Sequence, residues 1–179
     1  MGKIRFAHIA HQKQKGQLPT MEIERKYLIP TLPDLSDCSY HEIEQAYLCT
    51  APVVRIRRQD HEYYLTYKGG GLLAREEYNL PLTPQAYAHL LPKADGNVIT
   101  KRRYLIPLHD PAAKTPDYVF SSPLTVELDV FSGKFAGLQL AEVEFASVED
   151  ANAFVPPDWF GEDVTMNPAY HNSTMSRAE

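Results

Sequence analysis

From Met21 onward the chain is written in short runs whose hydrophobic and polar positions alternate, the period-two signature of β-strands. Glu22-Ile23-Glu24-Arg25-Lys26-Tyr27-Leu28 is the first. Seven more follow at Glu44–Leu48, Val53–Arg58, Glu62–Lys68, Arg75–Leu82, Val98–Leu108, Leu124–Phe131 and Gln139–Phe145. Gly69-Gly70-Gly71 and Ser132-Gly133 are turn signals between neighbouring runs. Such short connections predict mostly antiparallel pairing. Helices are few. Thr83–Leu91 opens with Thr83 as N-cap and Pro84 at the first helical position. Ser147–Phe154 opens on a Ser-x-x-Asp variant of the capping box and is stopped by Pro156-Pro157. Eight strands favour a closed barrel, because closure removes exposed edges. The expected fold is α+β dominated by β: an eight-stranded antiparallel closed β-barrel with a few short helices packed outside.

The polar faces of these strands are unusual. Successive side chains point to opposite sides of a strand, so residues two apart share a face. Glu22, Glu24 and Lys26 share one, as do Arg55 and Arg57, Thr66 and Lys68, Lys101 and Arg103, Glu127 and Asp129, and Glu142 and Glu144. The opposite faces carry Ile23, Val54, Ile56, Leu128 and Val143. Like charges at that spacing repel, and a solvated sheet tolerates one such pair. Six sets predict a common interior in which both signs meet a ligand. The apolar exterior then needs a cover, from the amphipathic helices and from a homodimer contact.

Length and composition change this picture little. A chain of 179 residues suits one domain with a sizeable core. No stretch approaches the roughly 20 apolar residues of a membrane span. No apolar signal-peptide core is visible, so no membrane is expected and the location read from the sequence is cytoplasmic. Cys38 and Cys49 do not make a disulfide scaffold. The net charge of −5 argues against nucleic acid as a partner, but it conceals a pattern. Residues 1–20 carry +4, residues 21–103 are balanced and residues 104–179 carry −9. The first 20 residues lack a clear period and read as a flexible leader or an extension from an alternative start. The folded domain is expected over residues 21–175.

Clustered arginine and lysine suit a polyanion with several phosphoryl groups, because guanidinium forks bind phosphate oxygens in pairs. Clustered carboxylates suit hard divalent cations, and Mg²⁺ commonly takes one or two carboxylates together with substrate phosphates. A metal bridging carboxylates to phosphates reconciles the two sets. The chemistry implied is metal-assisted phosphoryl or nucleotidyl transfer.

The strand Glu22-Ile23-Glu24-Arg25-Lys26 resembles the ExExK signature of the CYTH superfamily, the triphosphate tunnel metalloenzymes. The likeness continues in order through Val53-Val54-Arg55-Ile56-Arg57, Tyr64–Gly69, Arg75–Tyr78, Thr100–Arg103, Val126–Phe131 and Ala141–Phe145. It implies a tunnel that binds a linear triphosphate. It further implies Glu22, Glu24 and Glu144 as metal ligands, with Glu127 and Asp129 beside them orienting cations or a second ion. Lys26, Arg55, Arg57, Lys68, Lys101 and Arg103 are implied as the triphosphate binders, and Glu142, Lys26 and Glu77 as the catalytic group. Glu77 is preferred to Glu76, which shares its face with Tyr78 and Leu80. The implied cofactor is Mg²⁺ or Mn²⁺, and the implied reaction is hydrolysis of inorganic triphosphate to pyrophosphate and phosphate. A class IV-type adenylyl cyclase, a thiamine or nucleoside triphosphatase and a non-catalytic polyphosphate-binding module are the rivals.

Other features are assigned to structure. The scattered histidines show no metal-ligand spacing. Gly69-Gly70-Gly71 lacks the ending of a phosphate loop. Tyr47, Tyr63, Tyr64 and Tyr67 are expected on the barrel exterior. Tyr170-His171-Asn172-Ser173 resembles the family's closing segment near a tunnel mouth, anchored by Trp159.

Overall fold

In a computed structural model, which describes residues 20–69 and 74–179, eight strands wind into one sheet. They are β1 (Thr20–Leu28), β2 (Tyr40–Thr50), β3 (Val53–Gln59), β4 (Glu62–Lys68), β5 (Ala74–Pro81), β6 (Asp95–Pro107), β7 (Thr125–Ser132) and β8 (Gln139–Glu144). Their order around the sheet is β1-β5-β4-β3-β2-β6-β7-β8, and β8 returns to β1 to close the barrel. Every pairing is antiparallel. The expected leader and most of the triple-glycine turn lie outside the described residues.

The closure is a staggered seam. The first half of β1 pairs with β5, from Thr20 opposite Glu77 to Ile23 opposite Ala74. The second half pairs with β8, from Glu24 opposite Glu144 to Leu28 opposite Leu140. Where β5 stops, residues 161–164 take up the other edge of β1. Leu28 N donates to Glu162 O at 2.9 Å, and Val164 N donates to Lys26 O at 2.9 Å. This pairing satisfies backbone groups that an open edge would leave bare.

Polar residues inside leave an apolar exterior, and the chain covers it in two places. Helix α1 (Pro84–Leu90) lies over β2, β3 and β4, where Tyr87 packs on Ala46, Ile56 and Tyr63. Its start is fixed by Thr83, whose side chain accepts from Ala86 N as the sequence predicts. Helix α2 (Val148–Ala153) and the segment after it cover β1, β7 and β8. There Phe154 meets Tyr27, Phe120 and Phe145 at aromatic-contact distances. Trp159 stacks edge-on against Phe160 in the same cluster, whereas Tyr170 of the closing segment it was expected to anchor packs in a separate one. No helix among the described residues is long and apolar enough to cross a membrane.

The structure adds residues that the periodic runs do not mark. Strand β2 begins at Tyr40 rather than Glu44, because register with β6 (Tyr40 opposite Tyr104) recruits the preceding residues. A short helix α3 (Asn172–Met175), too short to show a period, docks at the start of β6. Gly96 makes that docking feasible: its φ is +76°, and a Cβ there would lie 2.1 Å from Ser176 O. One end of the barrel interior is thereby filled by Tyr47, Ile99, Phe131, Leu140, Val164 and Met175.

Candidate functional site

Above that apolar plug lies a cavity of about 190 Å³. Its walls are charged, and the strand order sorts the charges. Strands β7, β8, β1 and β5 are consecutive and contribute Glu127, Glu142, Glu144, Glu22, Glu24 and Glu77. Across the lumen β4, β3 and, beyond β2, β6 contribute Lys68, Arg55, Arg57 and Arg103. Among the described residues that line the cavity, Lys26 is the one cation set within the acidic wall.

The acidic wall is held by ion pairs. Lys26 Nζ lies 3.0 Å from Glu24 and is also paired with Glu142. Burial opposes its charge, but Glu142 and Glu24 outweigh that and raise its pKa. Lys68 Nζ bridges Glu22 at 2.6 Å and Glu77 at 2.7 Å. Arg103 reaches Glu142 and Glu127 through its terminal nitrogens, and its Nε donates to Asp129 Oδ1 at 2.7 Å. Both oxygens of Glu142 are therefore engaged. Burial pushes its carboxyl upward, yet Lys26, Arg103 and Lys101 together hold it well below the usual carboxylate range.

Glu144 differs. No cation meets it among the described residues, and its carboxyl is pushed upward, first by burial and then by Glu22, Glu127, Glu24 and Glu77. A carboxylate facing four others is a site short of positive charge. The donors around it are all hard oxygens, the ligand class of Mg²⁺ and Mn²⁺. The residues thus fit a divalent ion by chemistry. As placed, no three acidic, histidine or cysteine side chains among the described residues surround a common point. Glu22 and Glu24 are turned onto lysines, with which a bound ion would compete.

The basic wall shows the opposite imbalance. Arg55 and Arg57 are buried and meet no carboxylate among the described residues. Arg55 donates to Thr66 Oγ1 at 3.2 Å, and its Nε has no partner there. Arg57 donates to Gln45 Oε1 from Nε (3.0 Å) and Nη2 (2.8 Å), and to Tyr64 Oη from Nη1 at 3.3 Å. Burial, then the neighbouring Arg55, lowers the Arg57 pKa.

The CYTH domain family profile matches residues 20–155. The chain belongs to the CYTH domain family. The inorganic triphosphatase of Nitrosomonas europaea is 38% identical over 158 residues, covering 87% of this chain and 96% of that protein. That of Acetivibrio thermocellus is 34% identical over 125 residues, covering 68% and 70%. A solved inorganic triphosphatase structure superposes with a TM-score of 0.64 at 35% identity, covering 88% of this chain and 95% of that one.

In this CYTH domain the cavity brings together most of the residues singled out from sequence: Glu22, Glu24, Lys26, Arg55, Arg57, Lys68, Glu77, Arg103, Glu127, Glu142 and Glu144. Lys101 and Asp129 do not reach its surface. Their side chains are 0% exposed and pair with each other one layer deeper, toward the ring of Phe131. Asp129 Oδ2 also accepts from Arg103 at 2.6 Å, so both its oxygens are taken by cations. Burial first, then Arg103, lowers the Lys101 pKa to about 8. Two tyrosines expected outside are inside. Tyr47 lines the cavity, and Tyr64 reaches Arg57. They lie inward because they share faces with Gln45 and Thr66, while Tyr63 and Tyr67 point outward as expected. Gln45, fully buried, is a site residue that charge patterning passed over. The Ile43-Gln45-Tyr47 alternation was its only signal. His171, Asn172 and Ser173 also line the cavity, which places the closing segment on its wall.

Proposed function

We propose that this CYTH domain hydrolyses inorganic triphosphate to pyrophosphate and phosphate within the barrel, with Mg²⁺ or Mn²⁺ as cofactor. The observation that carries this reading is the pairing of an under-compensated basic wall with an under-compensated acidic wall across one cavity. The identity to two inorganic triphosphatases supports it. Arg55, Arg57 and Lys68 would bind the phosphoryl oxygens, and Lys26 and Arg103 would approach from their carboxylate partners. Glu22, Glu24 and Glu144 would hold the divalent ion. Bound there, the ion withdraws charge from a phosphoryl group and so eases attack by water.

The chain's own contribution is alignment and charge. Water adds at a terminal phosphorus, the bridging P–O bond breaks, and pyrophosphate leaves with the electron pair. The water's proton passes to a carboxylate of the acidic wall and then to solvent. Glu142 is poorly suited to accept it, since Lys26 and Arg103 hold it ionised and weakly basic. Its role is to brace those two cations. Burial and the neighbouring carboxylates push the Glu144 carboxyl upward, the deficit of positive charge that a divalent ion would answer. Glu77 holds Lys68 and accepts from Asn79 Nδ2 at 2.7 Å, which fits an orienting role.

The test is phosphate release from tripolyphosphate with Mg²⁺ or Mn²⁺, beside ATP and thiamine triphosphate. Release from tripolyphosphate above the other two is expected. Cyclic AMP from ATP without release from tripolyphosphate would overturn the reading in favour of a cyclase. Tight binding without turnover under any metal would favour a binding module. Glu24→Gln should lower kcat at least a hundredfold, about 2.7 kcal/mol of transition-state stabilisation, with the melting curve retained.

A further inference from the structure

Three of the cavity's cations, Lys26, Lys68 and Arg103, rest against carboxylates, as does Lys101 beneath them. Arg57 does not. Its guanidinium is buried, carries Arg55 as a face neighbour, and is gripped by a carboxamide and a phenol. Gln45 accepts from two of its three nitrogens with one oxygen, a bifurcated contact that a single carboxylate oxygen in the same place would also make. Gln45 is itself 0% exposed, and its Nε2 donates to Tyr47 Oη at 3.3 Å. Tyr47 in turn lines the cavity. Strand register fixes this arrangement: Gln45 stands directly opposite Arg57, and Tyr47 opposite Arg55.

A carboxylate at position 45 would satisfy Arg57 better and remove an uncompensated buried charge. The carboxamide supplies the same geometry with no charge. It fixes where the guanidinium points, while its positive charge is left for a ligand. The structure assigns Gln45 as the positioning residue that orients Arg57 and keeps it electrostatically available to a polyanion in the cavity. This rests on the reading of the cavity as a polyphosphate site, and on no assumption about turnover.

Gln45→Glu and Gln45→Met separate charge from packing. The Glu variant keeps the shape and both hydrogen bonds but neutralises Arg57. The Met variant keeps the volume and the charge but removes the acceptor. The Kd for tripolyphosphate is measured by calorimetry, with KM, kcat and melting temperature on the same preparations. Gln45→Glu is expected to raise Kd and KM at least tenfold, with kcat changed less and melting temperature unchanged or higher. Gln45→Met is expected to weaken binding less than Gln45→Glu. A Gln45→Glu Kd within twofold of wild type, or Gln45→Met binding more weakly than Gln45→Glu, would overturn the assignment in favour of a packing role. Wild-type protein that binds tripolyphosphate without hydrolysing it would sink the triphosphatase reading alone, because Kd still tests Gln45. Wild-type protein that binds none would sink both.

Discussion

Glu142 and Tyr27 show how one side chain's surroundings decide its energetic sign. Glu142 is held ionised by Lys26, Arg103 and Lys101 despite its burial. A carboxyl whose folded pKa lies below its unfolded value contributes stability above the unfolded value, and loses it as pH falls toward the folded one. That window opens below about pH 4.3. Glu142→Gln should therefore destabilise the protein at pH 6, with the gap to wild type narrowing as pH falls below about 5. The maximal slope is about 1.4 kcal/mol per pH unit. Urea titrations along that series measure it, and a constant gap would refute the assigned coupling. Tyr27 is the reverse case. It is 0% exposed, its hydroxyl has no hydrogen-bond partner among the described residues, and burial raises its pKa. An unpaired buried hydroxyl costs about 1–3 kcal/mol. Tyr27→Phe, which keeps the ring against Phe154 and Phe160, should raise the melting temperature by a few degrees; a fall would show that the hydroxyl has a partner. The charged residues of the site were legible from sequence because carboxylates, lysines and arginines repeat at i and i+2. Gln45 was not, because an amide on a strand carries no sign of what it faces.

Among the elements, the strands were legible and their neighbours were not. Period-two alternation marks a strand wherever it pairs. Nothing local says that β1 lies between β5 and β8, or that β2 adjoins β6. Tyr47 shows the consequence. Assigned by residue type to the exterior, it belongs by parity to the inward face of β2, with a register shift beside it. Caps, by contrast, are local chemistry, and Thr83 was readable. Since α1 covers the exterior of β2, β3 and β4, its cap contributes to the whole barrel. Thr83→Ala is expected to cost about 1 kcal/mol. It should lower the urea midpoint at unchanged slope, with faster amide exchange in residues 84–90. An unchanged midpoint would mean that packing of Tyr87 alone sets the helix start. Helix α3 escaped the sequence because four residues hold barely one turn, and its docking on Gly96 and Asn97 is tertiary.

At the scale of the molecule, a chain with a net charge of −5 encloses a cavity suited to a polyanion. Net charge describes the exterior field, whereas affinity is decided by buried groups at short range and low screening. Ligand binding should therefore stabilise the fold strongly. At a hundred times its Kd, tripolyphosphate is expected to add about 2.7 kcal/mol, which is roughly 5–10 °C in melting temperature for a chain of this size. Differential scanning with tripolyphosphate, pyrophosphate and phosphate measures it. Equal shifts from all three at equal concentration would argue against a site built for a linear triphosphate.

The sequence by itself determined the strands, the inverted alternation that puts charge inside, the helix caps and most of the charged residues of the lumen. These follow from local rules: side chains alternate along a strand, and a capping hydroxyl acts within three residues. Only the tertiary structure decided which charges face which. Closure sorts them into an acidic wall and a basic wall, buries Lys101 with Asp129 below the cavity, and leaves Arg57 on Gln45 rather than on a carboxylate. Those outcomes depend on the order and register of strands far apart in the chain, and side-chain alternation carries no record of either.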